Sequence, residues 1–208
     1  MTVSRSRSLA FASVALLVLL ALSGARPYDR ATWLLEVFPV IIALPVMWAT
    51  YRRFPLTTLL YACIFLHAVV LMIGGMYTYA RVPFGFQIAD VLHLSRNPYD
   101  KIGHLFQGFV PALVAREIFI RGQYVRGRKM LAFLVVCVAM AISSIYELIE
   151  WLAALMFGEG AYDFLGTQGD LWDTQADMLF ALIGAVAALL LFSRVHDRQL
   201  EKFRSEDN

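Results

Sequence analysis

The sequence contains six long apolar runs, and their length limits the folds that are open to this chain. A helix that crosses about 30 Å of hydrocarbon needs roughly 20 mostly apolar residues. The runs cover residues 9–25, 31–50, 55–79, 101–120, 130–157 and 172–193. Only 16% of the 208 residues are charged, against about 25% in soluble domains. The sequence therefore predicts an all-α, polytopic membrane helical bundle of about six transmembrane helices, which forms a single domain over residues 1–208.

Composition supports the assignment as a transmembrane helix less strongly for two of the six runs. The fourth carries Arg116 and Glu117 and has a polar stripe along one side. The first follows Arg5 and Arg7 and ends in small residues at 23–25, a pattern also typical of a cleaved secretory signal peptide. A retained first helix is favoured because the run is long and the next span follows within a few residues.

The basic residues predict the orientation of the bundle. Cytoplasmic connections of membrane proteins are enriched in Lys and Arg. With the N-terminus inside, twelve basic residues fall on the cytoplasmic side and five outside, while Arg116 lies near the inner boundary. An odd number of helices would destroy this asymmetry. We therefore predict that both chain ends are cytoplasmic.

Acidic residues are concentrated in the last third of the chain. No Lys or Arg occurs between Lys129 and Arg194, yet seven carboxylates do: Glu147, Glu150, Glu159, Asp163, Asp170, Asp173 and Asp177. Ionisable groups within spans are costly, so they normally face a bundle interior, a cavity or a partner. The stretch therefore predicts a buried polar site.

Helical spacing places several of these polar residues on single faces. Asp100, His104 and Gln107 follow one another at i, i+4 and i+7 on the fourth helix, which puts them on one side of it. The fifth helix repeats this spacing with Ser143, Glu147 and Glu150, and the sixth has Asp173 and Asp177 at i and i+4.

The three polar faces also share one depth. The fourth and sixth helices begin at the outer surface and carry their polar pairs in the first two turns. On the fifth, which runs outward, Glu147 lies roughly 25 Å above the inner end at a rise of 1.5 Å per residue. We therefore predict that the three faces form one site near the outer face of the membrane.

Such a site needs a source of positive charge or shared protons, because several carboxylates cannot stay ionised and unpaired in a bundle of low dielectric constant. Oxygen ligands with one histidine suit a divalent metal ion of unknown identity. Direct pairing with arginine, as part of a structural network that includes helix caps, would also neutralise the acids, and an ion or proton path is the third reading. All three stay open at this point.

The metal reading assigns a role to each polar residue. The predicted ligands are Asp100, His104, Asp173 and Asp177, and Glu147 and Glu150 are the candidate catalytic residues. The candidates for binding an anionic substrate, at the opening of the site to the outer side, are Arg81, Arg96 and Lys101. Possible additional members are His67, Glu36, Gln107 and Asp170. We expect His93 and His196 in solvent, and Cys63 and Cys137 as small apolar residues.

Three motifs carry a resemblance to a known family. Residues 99–104 read Tyr-Asp-Lys-Ile-Gly-His, residues 146–151 read Tyr-Glu-Leu-Ile-Glu-Trp, and residues 166–177 read Gly-Thr-Gln-Gly-Asp-Leu-Trp-Asp-Thr-Gln-Ala-Asp. With Tyr28-Asp29-Arg30 and the segment 33–39, they resemble bacterial inner-membrane proteins of the YjdF type over nearly the whole chain. The resemblance implies a multi-pass protein of the bacterial inner membrane and supplies no reaction.

A looser resemblance is to VanZ-like proteins, which are associated with teicoplanin resistance and the cell envelope. It covers Asp100, Lys101, His104, Glu147 or Glu150, Asp177 and Gly184. The arginine that VanZ-like proteins tend to carry before the last acidic motif is missing here, so a shared mechanism does not follow.

Three classes of function remain at this stage. The first is a metal-dependent enzyme that acts on a lipid or cell-envelope precursor. The second is a non-catalytic protein that binds a lipid or glycopeptide head group, and the third is a small ion- or proton-coupled transporter. Membrane lipids are the expected partners. Nucleic acid is not expected, because the charges are segregated along the chain and form no basic face. The sequence leaves the substrate and the oligomeric state undetermined.

Overall fold

A computed structural model describes residues 3–157 and 167–206. Helices account for most of these residues: α1 (Val3–Ala25), α2 (Arg30–Thr50), α3 (Thr58–Tyr77), α4 (Pro83–Leu92), α5 (Tyr99–Arg121), α6 (Arg128–Phe157), α7 (Asp173–Ala187) and α8 (Ser193–Glu206). A 3₁₀ turn, Tyr79–Arg81, precedes α4, and a π-helical turn, Ala188–Phe192, joins α7 to α8. The predicted helical membrane bundle is confirmed. The segment between α3 and α5, which falls outside the six apolar runs, contains the additional helix α4.

Polar residues fix where two of the spans begin. The Asp29 carboxylate accepts a hydrogen bond from the Thr32 amide at 2.7 Å, and the Thr57 hydroxyl accepts one from the Leu60 amide at 3.3 Å. Each bond satisfies an amide that has no partner within its own helix. The first residues of α2 and α3 are therefore determined by the local sequence.

Five stretches among the described residues are helical, long and apolar enough to cross a membrane: Arg5–Ala25, Arg30–Thr50, Thr58–Tyr77, Arg128–Met156 and Asp173–Phe203. With 23 residues, α5 has the length of a crossing, but its polar residues keep it out of that set. The prediction of about six spans is thus close, with α5 as the sixth.

The polar helix α5 lies at the centre of the bundle, in contact with α3, α6 and α7. Its buried residues run from Tyr99, at the end that the charge pattern predicts to be external, to Glu117, near the end that it predicts to be cytoplasmic. We call these the outer and inner ends. A helix that carries this many polar groups avoids lipid when its neighbours surround it. The central position of α5 therefore follows from its composition.

Two glycines allow α5 and α7 to pack backbone against backbone. A Cβ atom at Gly108 would lie 1.8 Å from the carbonyl oxygen of Ala181, and one at Gly184 would lie 2.0 Å from that of Leu105. Small residues permit this close approach between helices in membranes. The contact places the outer ends of α5 and α7, with their acidic residues, side by side.

A buried polar cluster fastens the inner end of the bundle. Both carboxylate oxygens of Glu117 accept bonds from the Thr57 amide, at 3.0 and 3.2 Å. Glu117 also pairs with Arg121 at 3.0 Å, and the His196 ring lies 3.0 Å from its second oxygen. We expected His196 in solvent, and that expectation is wrong: its side chain is fully buried, because Glu117 supplies a hydrogen-bonding partner inside the protein.

The outer end is fastened by separate contacts. The Tyr28 amide donates to the Met76 carbonyl at 2.9 Å, and the Trp33 indole donates to the Ser23 hydroxyl at 3.0 Å. These bonds join the ends of α1, α2 and α3 that the charge pattern predicts to be external. We call this side the outer end below.

The first prediction concerns topology. A reporter fused after Asn208 should read cytoplasmic, and one inserted near Asp90 should read external, because basic residues hold their connections inside. Paired fusions of alkaline phosphatase and a fluorescent protein measure both positions. An external C-terminus would contradict the arrangement with both ends inside.

The second prediction concerns the contact between α5 and α7. Gly184→Val should lower the melting temperature of the purified protein markedly, because overpacking a tight contact costs about 1–3 kcal/mol or more. Val186→Leu on the partly exposed face of the same helix is the control and should melt like the wild type. Equal melting of the two variants would show that α5 and α7 do not pack through Gly184.

Candidate functional site

The first turns of α5 and α7 bring two aspartates and a histidine together. Asp100, His104 and Asp177 each offer one ligand atom, and these three atoms lie within 4.8 Å of one another. The His104 Nε2 atom is 3.4 Å from an Asp100 oxygen and 3.7 Å from an Asp177 oxygen. Two oxygens and one imidazole nitrogen at this spacing are a donor set that suits a divalent metal ion.

Lys101 ties the two acidic residues of α7 to α5. Its ammonium group donates to Asp173 at 2.8 Å and to Asp177 at 2.7 Å, and it lies 3.7 Å from Asp100. All of these side chains are largely shielded from solvent. A buried ammonium with two carboxylate partners is held firmly, so Lys101 orients the acids.

Arg96 forms a second bridge at the outer rim of the site. Its guanidinium donates to Asp170 at 2.5 Å, to Asp173 at 2.8 Å and to the Thr167 carbonyl at 3.0 Å. The Arg96 side chain is 25% exposed. The loop before α5 and the turn before α7 are thereby joined above the acidic cluster.

The orientation of the His104 ring follows from its other nitrogen. Nδ1 lies 2.9 Å from the Gln107 side-chain oxygen, an arrangement in which Nδ1 carries the proton and donates. In a neutral ring, Nε2 then holds a lone pair that points toward Asp100 and Asp177. This is how a metal-ligating histidine is held by its surroundings.

Glu147 supplies an acidic group from α6. One of its oxygens is buried without a hydrogen-bonding partner and lies 3.7 Å from His104 Nδ1. A buried carboxylate oxygen without a partner is costly. The unpartnered Glu147 oxygen is therefore available to accept a hydrogen bond or to bind a ligand beside His104.

A cavity of about 130 Å³ continues from the cluster into the bundle. Asp100 and His104 line it together with Glu150, and Glu36 and His67 stand on walls contributed by α2 and α3. The Nε2 atom of His67 is buried and without a hydrogen-bonding partner. The cavity is polar enough and large enough for several water molecules or a small polar group.

Two tyrosines complete the cavity wall. Tyr146 donates to Glu36 at 3.1 Å, and its ring meets His104 edge to face. Tyr79 packs against Gly74 and Gly103, where a Cβ atom would overlap its ring. Burial raises the pKa of the Tyr79 hydroxyl well above its ordinary value of 10.0, with a further contribution from the nearby Glu36 carboxylate. Tyr79 therefore remains a neutral hydroxyl group.

The structure gathers most of the predicted site residues at one place. Direct contacts or the shared cavity connect Asp100, Lys101, His104, Gln107, Glu147, Glu150, Asp173, Asp177, Glu36, His67, Arg96 and Asp170. Among the contacts between described residues, Arg81 lies over the Tyr28 ring, 4.0 Å from its centre. Two of the acids counted in the sequence, Glu159 and Asp163, lie outside the described residues.

Sequence reasoning missed the two cavity tyrosines. The predicted site included neither Tyr79 nor Tyr146, although Tyr146 directly precedes Glu147. The signal was there: Tyr146 lies three residues after Ser143, so its ring borders the polar face of α6.

Charge is out of balance in this part of the bundle. Arg96 and Lys101 bring two positive charges, and His104 adds a third when it is protonated. Among the residues that the structure describes, seven carboxyl groups lie in the cluster and on the cavity wall: Glu36, Asp100, Glu147, Glu150, Asp170, Asp173 and Asp177. The acids outnumber these cations, so bound protons or a bound cation must neutralise the remainder.

The third prediction tests the pairing of Lys101. Lys101→Met should destabilise the protein by about 3–5 kcal/mol, because it removes the buried ammonium that pairs with Asp173 and Asp177, and Arg96 remains only at Asp173. The double variant Lys101→Met/Asp177→Asn should recover part of the loss. Thermal unfolding in detergent measures both, and a single variant that melts like the wild type would contradict the buried bridge.

Comparison with known proteins agrees with this architecture. A family model described as "Predicted membrane protein (DUF2238)" matches residues 8–198. "Inner membrane protein YjdF" of Escherichia coli (strain K12) is 62% identical over 191 residues, which cover 92% of this chain and 91% of that protein. No solved structure matches the chain significantly. The protein is a multi-pass protein of the inner membrane, and it belongs to the DUF2238 family of predicted membrane proteins.

Proposed function

We propose that this protein is a metal-dependent enzyme that acts on a lipid or cell-envelope precursor near the outer face of the inner membrane. One observation carries the proposal: Asp100, His104 and Asp177 present three ligand atoms within 4.8 Å of one another. Two helices that touch through glycine backbones hold these residues, so the donor set is preorganised.

The surroundings of the three residues support a cation at this place. Gln107 holds the Nδ1 side of His104, which leaves Nε2 for a metal. The excess of buried carboxyl groups supplies the negative charge that a divalent ion would neutralise. Asp173 was a predicted ligand, but both Arg96 and Lys101 donate to it. We therefore place Asp173 outside the ligand set, as an anchor for these two cations.

The chemistry we propose is hydrolysis of an ester or phosphoester bond. A divalent ion held by Asp100, His104 and Asp177 would activate the attacking water and polarise the scissile group. Glu147, with its unpartnered oxygen beside His104, takes a proton from the attacking water, and Glu150 on the cavity wall is the second candidate. The hydroxide joins the acyl carbon or the phosphorus, and the alcohol leaves with the proton from the glutamate.

Substrate binding falls to the basic residues at the rim. Arg96 is partly exposed and keeps guanidinium surface available to an anionic head group. Arg81 is exposed and lies on the Tyr28 ring. Lys101 was also a predicted substrate contact, but its engagement with Asp173 and Asp177 gives it the role of positioning those acids.

A second function is favoured by the same lysine. Lys101 and Arg96 already neutralise part of the cluster through direct salt bridges. Without a metal, the site would be a proton-sharing polar network that binds a head group and performs no reaction. The two candidates differ in whether a cation binds at Asp100, His104 and Asp177.

The fourth prediction separates these candidates by metal binding. Purified wild-type protein should carry a divalent metal by elemental mass spectrometry, and a chelator should lower its melting temperature. The metal-free protein should then bind Mn²⁺, as followed by electron paramagnetic resonance, because Mn²⁺ accepts oxygen and imidazole ligands. His104→Ala and Asp177→Asn should each lose the metal and the sensitivity to the chelator.

The matched control is Asp170→Asn. Asp170 is also an acid paired with Arg96, but it is 30% exposed and lies outside the ligand set. It should retain the metal. Wild-type protein that carries no metal, binds no Mn²⁺ and melts identically with and without chelator would overturn the metal site in favour of the polar network.

The fifth prediction tests catalysis. Protein reconstituted in vesicles of extracted bacterial inner-membrane lipids should release a hydrolysis product with Mn²⁺ present, as measured by lipid mass spectrometry. Glu147→Gln should retain bound metal but lose most of the turnover, because a missing general base costs about 10²–10⁴-fold. Metal binding without any change in the lipids would contradict the enzymatic proposal.

A further inference from the structure

The helix α4, at the outer end between α3 and α5, has three distinct faces. Successive helical residues are about 100° apart, so Phe84, Ile88 and Val91 share one side. Gly85 and Ala89 lie on the neighbouring side and are buried against the protein. Gln87 and Asp90 form a third, polar side that is exposed, and the exposed Phe86 borders this side next to Asp90. The helix is therefore amphipathic on the surface that it does not bury.

The apolar side of α4 is not covered by the described part of this chain. Phe84 is 58% exposed and Val91 is 77% exposed. Leu92, the last residue of the helix, and Leu94 just beyond it continue the exposed apolar surface. In water, a contiguous apolar surface of this kind would be unfavourable and would promote association.

The position of α4 indicates what covers this surface. α4 follows the outer end of α3 after a single 3₁₀ turn, and α5 begins seven residues after α4 ends. Both neighbours are spans, so α4 lies at the level where they leave the hydrocarbon. The exposed apolar surfaces of these spans are themselves covered by lipid, and the surface of α4 continues them. Its ten residues are too few to cross a membrane.

We propose that α4 lies in the plane of the outer leaflet, with Phe84, Ile88 and Val91 in the lipid and Gln87 and Asp90 toward the water. Amphipathic helices of this kind insert their apolar side about 5–10 Å into the boundary between head groups and acyl chains. The occupant of the apolar side is therefore the lipid of the outer leaflet.

The position of α4 at the membrane surface also sets the depth of the acidic site. Asn97 joins the start of α4 to the site, because its side-chain amide donates to the Val82 carbonyl at 2.9 Å. Its backbone amide donates to the side-chain oxygen of Gln168 at 3.0 Å, in the turn that Arg96 also binds. The rim that contains Arg96 is thus rigidly connected to α4 and lies at head-group depth.

A second group of exposed apolar side chains borders the rim that contains Arg96. Leu171 is 93% exposed and Trp172 is 70% exposed, directly after Asp170, which binds Arg96. Tryptophan is enriched where lipid meets water. The substrate class follows from this setting and rests on the proposed function: a phospholipid of the outer leaflet, which enters sideways from the membrane, and not a solute from the aqueous side.

The experiment measures the two sides of α4 separately. Spin labels are attached at Phe84→Cys, Val91→Cys, Gln87→Cys and Asp90→Cys, in full-length protein with Cys63→Ala and Cys137→Ala, reconstituted in phospholipid vesicles. Collision with oxygen, which concentrates in lipid, is compared with collision with a water-soluble nickel complex. Labels at 84 and 91 should favour oxygen several-fold over labels at 87 and 90, at a depth of about 5–10 Å.

The outcomes are distinct. Equal access of the nickel complex to all four positions would place α4 in water and overturn the proposal. Labels at 84 and 91 that neither reagent reaches, with spin–spin broadening between chains, would instead show that a second copy covers the helix. None of these measurements depends on a metal or a reaction, so failure of the inference and failure of the proposed function are distinguishable.

One functional readout links the helix to the site. Phe84→Glu/Val91→Glu should lower turnover of vesicle lipid strongly while leaving Mn²⁺ binding unchanged, and Gln87→Glu is the matched control. Unchanged turnover in the double variant would overturn the sideways entry of substrate.

Discussion

The bundle depends on one constraint, which is that α5 is too polar to face lipid. Asp100, Lys101, His104 and Glu117 all lie on this one helix, and each would cost several kilocalories per mole in contact with hydrocarbon. The constraint is met when α3, α6 and α7 surround α5. The apolar helices are then free to expose their outward faces to lipid, as the many exposed large apolar side chains show.

The two ends of α5 meet the constraint in different ways. At the inner end, Glu117 has hydrogen-bonding partners on both oxygens, from α5 itself, from the start of α3 and from His196. This cluster is closed and has no need of a ligand. At the outer end, the acids exceed the cations that bind them, and Glu147 keeps an oxygen without a partner. Unsatisfied polar groups beside a cavity are characteristic of binding sites, whereas fully hydrogen-bonded polar groups are characteristic of structural contacts.

The proposed metal and the observed lysine both involve Asp177. Lys101 binds Asp173 and Asp177, whereas His104 Nε2 lies close to Asp177 and Asp100. Both Lys101 and His104 approach the same Asp177 oxygen, Oδ1, and an ionised carboxylate offers about four lone-pair sites, so it can serve more than one partner. A cation at the histidine side would then share Asp177 with the lysine, in the manner of a ligand oriented by its surroundings.

Apolar run length, helical period and rise per residue were enough to predict the class of fold, the polar faces and their common depth. The residue types also showed which side chains could bind a cation. The side-chain partners came from the packing of the helices: Lys101 bridges Asp173 and Asp177, Arg81 lies over the Tyr28 ring, and His196 is buried against Glu117. Pairing depends on which helices touch and at what rotation. That choice was made by the close approach of Gly108 and Gly184 to a facing backbone, a contact between residues far apart in the chain that no local pattern encodes.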